Sequence, residues 1–131
     1  MAEMAEALIV DDSKVMREMI IACLRACEDL VFVQAASGLE ALERLSLRRF
    51  DVVVLDLNMP DIGGYEVIEF VRGQDRLRQL PILVVTTRGD EESRDKALAL
   101  GASAFMTKPF APDALLAEVR ALIEARPGAS A

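Results

Sequence analysis

At 131 residues, 53% of them hydrophobic, the chain is long enough for one domain that buries most of its unfolded surface without staples. A net charge of −7 argues against direct contact with nucleic acid or an anionic membrane, since phosphate backbones need a basic face. The complete lack of histidine removes Ser-His and Cys-His nucleophile pairs, imidazole acid–base chemistry and most zinc sites, so any metal must be held through oxygen.

Aromatic residues make up only 5% of the chain, so the core must be aliphatic. Glu3 and Glu6, with no basic residue nearby, do not make a secretion signal, and no apolar run approaches the ~18 residues of a membrane span. A cytoplasmic protein without membrane insertion is expected. Residues 7–10 form a short apolar strand ending in Asp11-Asp12. Val15, Met16, Met19, Ile20, Cys23, Leu24 and Cys27 then recur at helical spacing, with Asp12 or Ser13 as the cap. The two cysteines are read as small core residues, because no other thiol or imidazole is present to build a redox or metal site. A second, more mixed strand is predicted over 30–36, and Ser37-Gly38-Leu39-Glu40 reads as a capping box opening a helix through Leu42 and Leu45.

Four branched apolar residues, Val52 to Leu55, form a strand buried on both faces that ends at Asp56. After Met59-Pro60 and Gly63-Gly64, a helix through Val67, Ile68 and Val71 stops near Gly73. Pro81 precedes another wholly apolar strand that ends in Thr86-Thr87. Asp90 caps a helix over 91–100, and Gly101 suits its C-terminal turn. A short strand over 104–107 reaches Lys108-Pro109, and Pro112 opens a last helix with the stripe Leu115, Leu116, Val119, Leu122 and Ile123. The expected organisation is an N-terminal extension over 1–5, one domain over 6–125, and a disordered tail over 126–131.

Five strand–helix pairs in strict alternation imply a single doubly wound α/β domain with a parallel sheet and right-handed crossovers. The first, third and fourth strands are apolar throughout and belong in the centre; the second and fifth belong at the edges. The order 2-1-3-4-5, taken over from flavodoxin-like sheets, satisfies this.

In such a sheet all carboxyl ends share one rim, which here collects Asp11, Asp12, Asp56, Thr86 and Lys108. Like charges ~4–5 Å apart repel by roughly 3–4 kcal/mol at an effective dielectric near 20, so three clustered carboxylates must protonate or recruit a cation. Lys108 offsets one of them and a divalent ion would offset two more. Hard oxygen ligands partly open to water suit Mg²⁺. A metal-bound carboxylate flanked by a hydroxyl and an ammonium can receive a phosphoryl group, with Asp56 as the nucleophile.

With these residues in place, the chain resembles the receiver domains of two-component response regulators, of the chemotaxis CheY type, over 6–125. The matching motifs are Val10-Asp11-Asp12-Ser13, Leu55-Asp56 with Met59-Pro60 and Gly64-x-Glu66, then Thr86, and Lys108-Pro109-Phe110. The segment from Ser13 to Arg17 is also similar to chemotaxis members. The resemblance implies that Asp56 accepts phosphate from the phosphohistidine of a sensor histidine kinase or histidine phosphotransfer protein. It also implies that Asp12 and Asp56 bind Mg²⁺ directly, with Asp11 acting through water and the backbone carbonyl of Asn58 as a further ligand. Thr86 would bond the phosphoryl group, Lys108 would pair with it, Phe105 would turn inward, and the Lys108-Pro109 bond would be cis. The implied protein is a switch that promotes only its own phosphorylation and dephosphorylation, with an output partner binding the 91–125 face in the phosphorylated arrangement.

Several positions depart from the commonest family pattern. Thr87 follows the switch threonine where Ala or Gly is more usual, Gly63 stands where Asp is frequent, and Ala111 is a poor helix cap. Asn58 and Arg88 occupy the two positions that tune phosphoryl lifetime in this family, and Arg88 is expected to alter dephosphorylation. A stand-alone chemotaxis-type regulator is the leading expectation. The alternatives are a relay intermediate, a receiver cut from a longer, for example DNA-binding, regulator, and a Mg²⁺-dependent aspartate-nucleophile phosphatase. The last needs a second acid two residues after the nucleophile, where this chain has Asn58. A flavin or dinucleotide module is disfavoured because Asp11-Asp12 would repel a phosphate.

Overall fold

Runs of valine, isoleucine and leucine favour extended backbone and, lacking a polar face, must be covered on both sides. The computed structural model, which describes residues 4–125, arranges them as β1 (Ala5–Val10), β2 (Leu30–Ala35), β3 (Val52–Leu55), β4 (Ile82–Thr86) and β5 (Ala104–Thr107). Neighbouring strands pair in parallel in the order β2-β1-β3-β4-β5, the predicted flavodoxin-like sheet. β3 and β4 are buried throughout, whereas β5 has no fully buried residue, as suits an edge.

Five helices connect the strands: α1 (Lys14–Leu24), α2 (Gly38–Leu47), α3 (Gly64–Gly73), α4 (Glu91–Leu100) and α5 (Pro112–Ala125). Helices α1 and α5 cover one face, where Ile20, Leu24, Leu115 and Val119 meet Ile9, Val52, Val54 and Leu83. Helices α2, α3 and α4 cover the other, where Leu45, Ile68 and Ala97 meet Leu8, Val53, Leu55 and Val84. Successive residues of one strand thus feed opposite layers. Each fully buried Leu, Ile or Val contributes roughly 1.5–3 kcal/mol relative to exposure, which offsets the entropy of ordering the chain.

The helix starts follow local chemistry. The Ser13 hydroxyl accepts from the Met16 N–H, Ser37 from Glu40, and the Asp90 carboxylate from Ser93, each satisfying an otherwise unpaired donor. The Glu40 carboxylate accepts from the Ala36 N–H, one residue before the position a capping box prescribes. Gly101 closes α4 at φ 121°, a left-handed conformation that other residues rarely adopt.

The structure differs from the predicted elements in three places. The helical spacing extends to Cys27, but α1 ends at Leu24, and Cys27 lies in the following turn with its N–H donating to Leu24 O. Both cysteines are free and half-buried against the α1–α5 layer, in keeping with a packing role. Val15 and Met19 fall one residue off the inward row of half-buried Met16 and buried Ile20 and Leu24 and face solvent, at 71% and 47% exposed. β1 begins at Ala5, which pairs with Leu30 inside the segment expected as an extension. Residues 1–3 and the tail expected over 126–131 lie outside the described residues.

Candidate functional site

The register brings the strand ends level, because Val10 pairs with Leu55, Leu55 with Val84, and Thr86 with Thr107. The ladder then continues one bond further into the site residues. Asp11 N–H donates to Ala35 O, Asp56 N–H to Val10 O, and Lys108 N–H to Thr86 O. Each of these side chains therefore projects from backbone held by a neighbouring strand.

Asp11 is 1% exposed, and both of its carboxylate oxygens carry donors. Oδ1 accepts from the Ser13 N–H at 2.9 Å and Oδ2 from Lys108 Nζ at 2.6 Å. Lys108 Nζ also lies 3.5 Å from Asp56 Oδ2. Asp56 is 5% exposed and accepts from the Asn58 N–H at 3.3 Å. Asp12 is exposed, and one oxygen from each of Asp11, Asp12 and Asp56 lies within 4.8 Å of the others. Thr86 is fully buried, and its hydroxyl accepts from the Arg88 N–H at 3.2 Å. The Lys108–Pro109 bond is cis, as expected.

The predicted rim residues thus converge. Burial pushes the Asp56 carboxyl above its ordinary pKa; Lys108 opposes that shift, Asp11 adds to it, and bonds from Asn58 and Thr86 oppose it. Asn58 itself is exposed, and its side-chain amide reaches Thr87 Oγ1 at 3.5 Å. Phe105 is set apart from the rim: it pairs with Val84 and is half-buried against the α2–α4 layer. The donor set is hard oxygen throughout, which fits Mg²⁺ rather than a softer metal.

Sequence reasoning missed the residues that hold this site in shape. The Asp61 carboxylate accepts from the N–H groups of Gly38 and Leu39 at 3.1 and 3.2 Å, tying the β3–α3 loop to the start of α2. A Cβ on Gly38 would lie 2.0 Å from Ile62 O, and one on Gly64 would lie 2.5 Å from Asp56 O, so the backbones meet where only glycine fits. Arg17 donates to Asp11 O at 2.7 Å and to Gln34 Oε1 at 2.8 Å, steadying the acidic turn. The partners of Asp61 and Arg17 lie on other elements, and a reading of local spacing carries no signal for them.

This constellation on this fold defines a signalling receiver, and the chain belongs to the response regulator receiver domain family, which it matches over residues 7–120. It is 37% identical to the response regulator Rre1 of Synechocystis over 94% of this chain and 53% of Rre1, so it spans about half the length of that relative. It is 34% identical to chemotaxis protein CheY1 of Helicobacter pylori, over 82% of this chain and 88% of that protein. The solved CheY4 of Vibrio cholerae superimposes with a TM-score of 0.83 at 37% identity, covering 91% of this chain and 98% of that one. The receiver domain of sensor kinase PA1611 from Pseudomonas aeruginosa, at TM-score 0.85 and 26% identity over 93% and 99% of the two chains, holds a magnesium ion in its active-site cleft. The family is one of two-component signalling switches rather than turnover enzymes.

Proposed function

We propose that this receiver is operated by phosphorylation at Asp56. A carboxylate oxygen of Asp56 forms a bond to phosphorus as the phosphorus–nitrogen bond of a kinase or phosphotransfer-protein phosphohistidine breaks, and the imidazole leaves with the electron pair. The observation that carries this reading is the setting of Asp56: almost wholly buried, raised in pKa by that burial, and 3.5 Å from the Lys108 ammonium.

Asp12 and Asp56 would hold Mg²⁺ directly, with the Asn58 carbonyl as a further ligand and Asp11 acting through water; both oxygens of Asp11 already accept hydrogen bonds. The ion supplies neutralisation of charge on the transferring oxygens. Lys108 pairs with the phosphoryl group, and Thr86 donates its hydroxyl to it. Drawing Thr86 toward the new acceptor vacates space that Phe105 fills, which favours a second arrangement of the 91–125 face for an output partner. Arg88 modulates the lifetime of the adduct, a role that unchanged decay in Arg88→Ala would reject.

The identity to CheY-type chemotaxis proteins favours a chemotaxis-type regulator. The 53% span of Rre1 favours a second reading, the receiver portion of a longer regulator. An aspartate-nucleophile phosphatase is disfavoured by the amide at Asn58. The test is intact-mass analysis with Mg²⁺ and acetyl phosphate. One added phosphoryl group is expected, labile to hydroxylamine, dependent on Mg²⁺ and absent in Asp56→Asn. Sustained turnover of an external phosphate ester without an adduct would overturn the proposal.

A further inference from the structure

We propose that Tyr65 is a positioning residue that parks the Arg88 guanidinium away from the Asp56 pocket, an inference that rests on the phosphorylation reading above. The backbone at Arg88 has little freedom. Its N–H donates to Thr86 Oγ1 at 3.2 Å, and the next N–H, that of Gly89, donates to Thr87 O at 3.0 Å. A Cβ on Gly89 would lie 2.6 Å from Thr107 Cγ2, so the loop is pressed against the end of β5. What remains free is the side chain, anchored two residues beyond the switch threonine and able to lie toward the pocket or away from it.

It lies over Tyr65, with Cζ 5.5 Å from the ring centroid. The ring is itself held. Its hydroxyl donates to Ser93 O at 3.3 Å, and Lys96 Nζ sits 4.3 Å from the same centroid. Ser93 is 3% exposed, and its hydroxyl and N–H both donate to the Asp90 carboxylate, at 2.8 and 2.9 Å. Ring, helix start and guanidinium therefore form one assembly across α3, the β4–α4 loop and α4. Two attractions act on Arg88 from this side, the π face of Tyr65 and the negative charge of Asp90. Against them stands the acidic rim of Asp11, Asp12 and Asp56. Without the ring, the guanidinium spends more time at the mouth of the pocket, where it attracts an anionic phosphodonor.

The experiment measures the initial rate of Asp56 phosphorylation by acetyl phosphate with Mg²⁺, by intact mass. Tyr65→Leu and Tyr65→Met, which keep the apolar bulk and lose the ring, should each raise that rate about two- to fivefold at low ionic strength, the factor an exposed cation–π contact supplies. Tyr65→Phe keeps the ring face and should stay close to the unmodified protein. The increase should disappear in an Arg88→Ala background and shrink at high salt, neither of which a general loosening of α4 would produce. A rate unchanged by both ring deletions, or an increase that persists without Arg88, overturns the inference while the phosphorylation reading stands. Absence of any adduct on the unmodified protein overturns that reading and this one together.

Discussion

Replacing Asp56 by Asn removes the charge at the centre of the acidic rim while keeping the shape and an acceptor for the Asn58 N–H. With carboxylate oxygens within 4.8 Å, buried Asp11 repels ionised Asp56 by about 3.5 kcal/mol at an effective dielectric near 20, and exposed Asp12 adds only a solvent-screened remainder. Lys108 Nζ at 3.5 Å returns about 4.7 kcal/mol of attraction on the same scale. The two charge interactions largely cancel, and burial of the carboxyl tips the balance against the ionised form. Asp56→Asn should therefore be more stable than the parent in EDTA near neutral pH, by about 0.5–2 kcal/mol, a few degrees in Tm. The sign with pH follows from the raised pKa of Asp56. In acid the folded parent already carries a neutral carboxyl and the two proteins converge. As pH rises through the raised pKa the parent loses stability and the gap opens. Urea unfolding across this range, with and without Mg²⁺, is the assay, and Mg²⁺ should narrow the gap by stabilising the parent more. A variant less stable than the parent, or a gain independent of pH, would refute the electrostatic account of the rim.

Lys108→Ala should still accept some phosphoryl group but fail to bind an output partner. In EDTA it should lose about 3–5 kcal/mol, because the Asp11 side chain, 2% exposed, is left without its ammonium; normal partner binding in a pull-down would contradict the assigned role. Gly38→Ala sets a Cβ 2.0 Å from Ile62 O and should cost about 3 kcal/mol or more by thermal unfolding, as backbone cannot yield cheaply there. Asp61→Asn should lower stability near neutral pH. Burial works against the ionised Asp61 carboxyl, but bonds from Ile62, Leu39 and Gly38 outweigh it and hold its pKa below the ordinary value. The stabilisation is thus present above the ordinary carboxylate range and lost as pH falls through the lowered pKa, so parent and variant should converge in acid; a constant difference would argue against the tie from Asp61 to Gly38 and Leu39.

The sheet could be read from the chain because two segments above all state their burial directly. Val52 to Leu55 and Ile82 to Val85 have no polar face, and strands like these fit only the centre. The rim was legible for a related reason, since parallel pairing forces the residues after those strands to one edge, and Asp11, Asp56, Thr86 and Lys108 were visible there as soon as the strands were. What escaped depends on pairs far apart in sequence. The Asp61 bonds reach back 22 and 23 residues, Tyr65 reaches forward 28, and Arg72 donates to Gly101 O, 29 residues on. Periodicity also misjudged α1, where Val15 and Met19 share the apolar spacing but not the buried row.

The rim draws on unequal supports. Asp11 and Asp56 follow strands flanked on both sides, whereas Lys108 follows β5, which is paired only with β4 and has no fully buried residue, and the adjoining α4 buries only Ser93 and Ala97. One side of the cleft is thus foundation and the other a cantilever. Amide exchange should reveal the division, with β1 and β3 opening only when the whole domain unfolds, and α4 and β5 opening far more often at small free-energy cost. Under the proposed phosphorylation of Asp56, a signal written at the fixed side would be read out at the side that can yield.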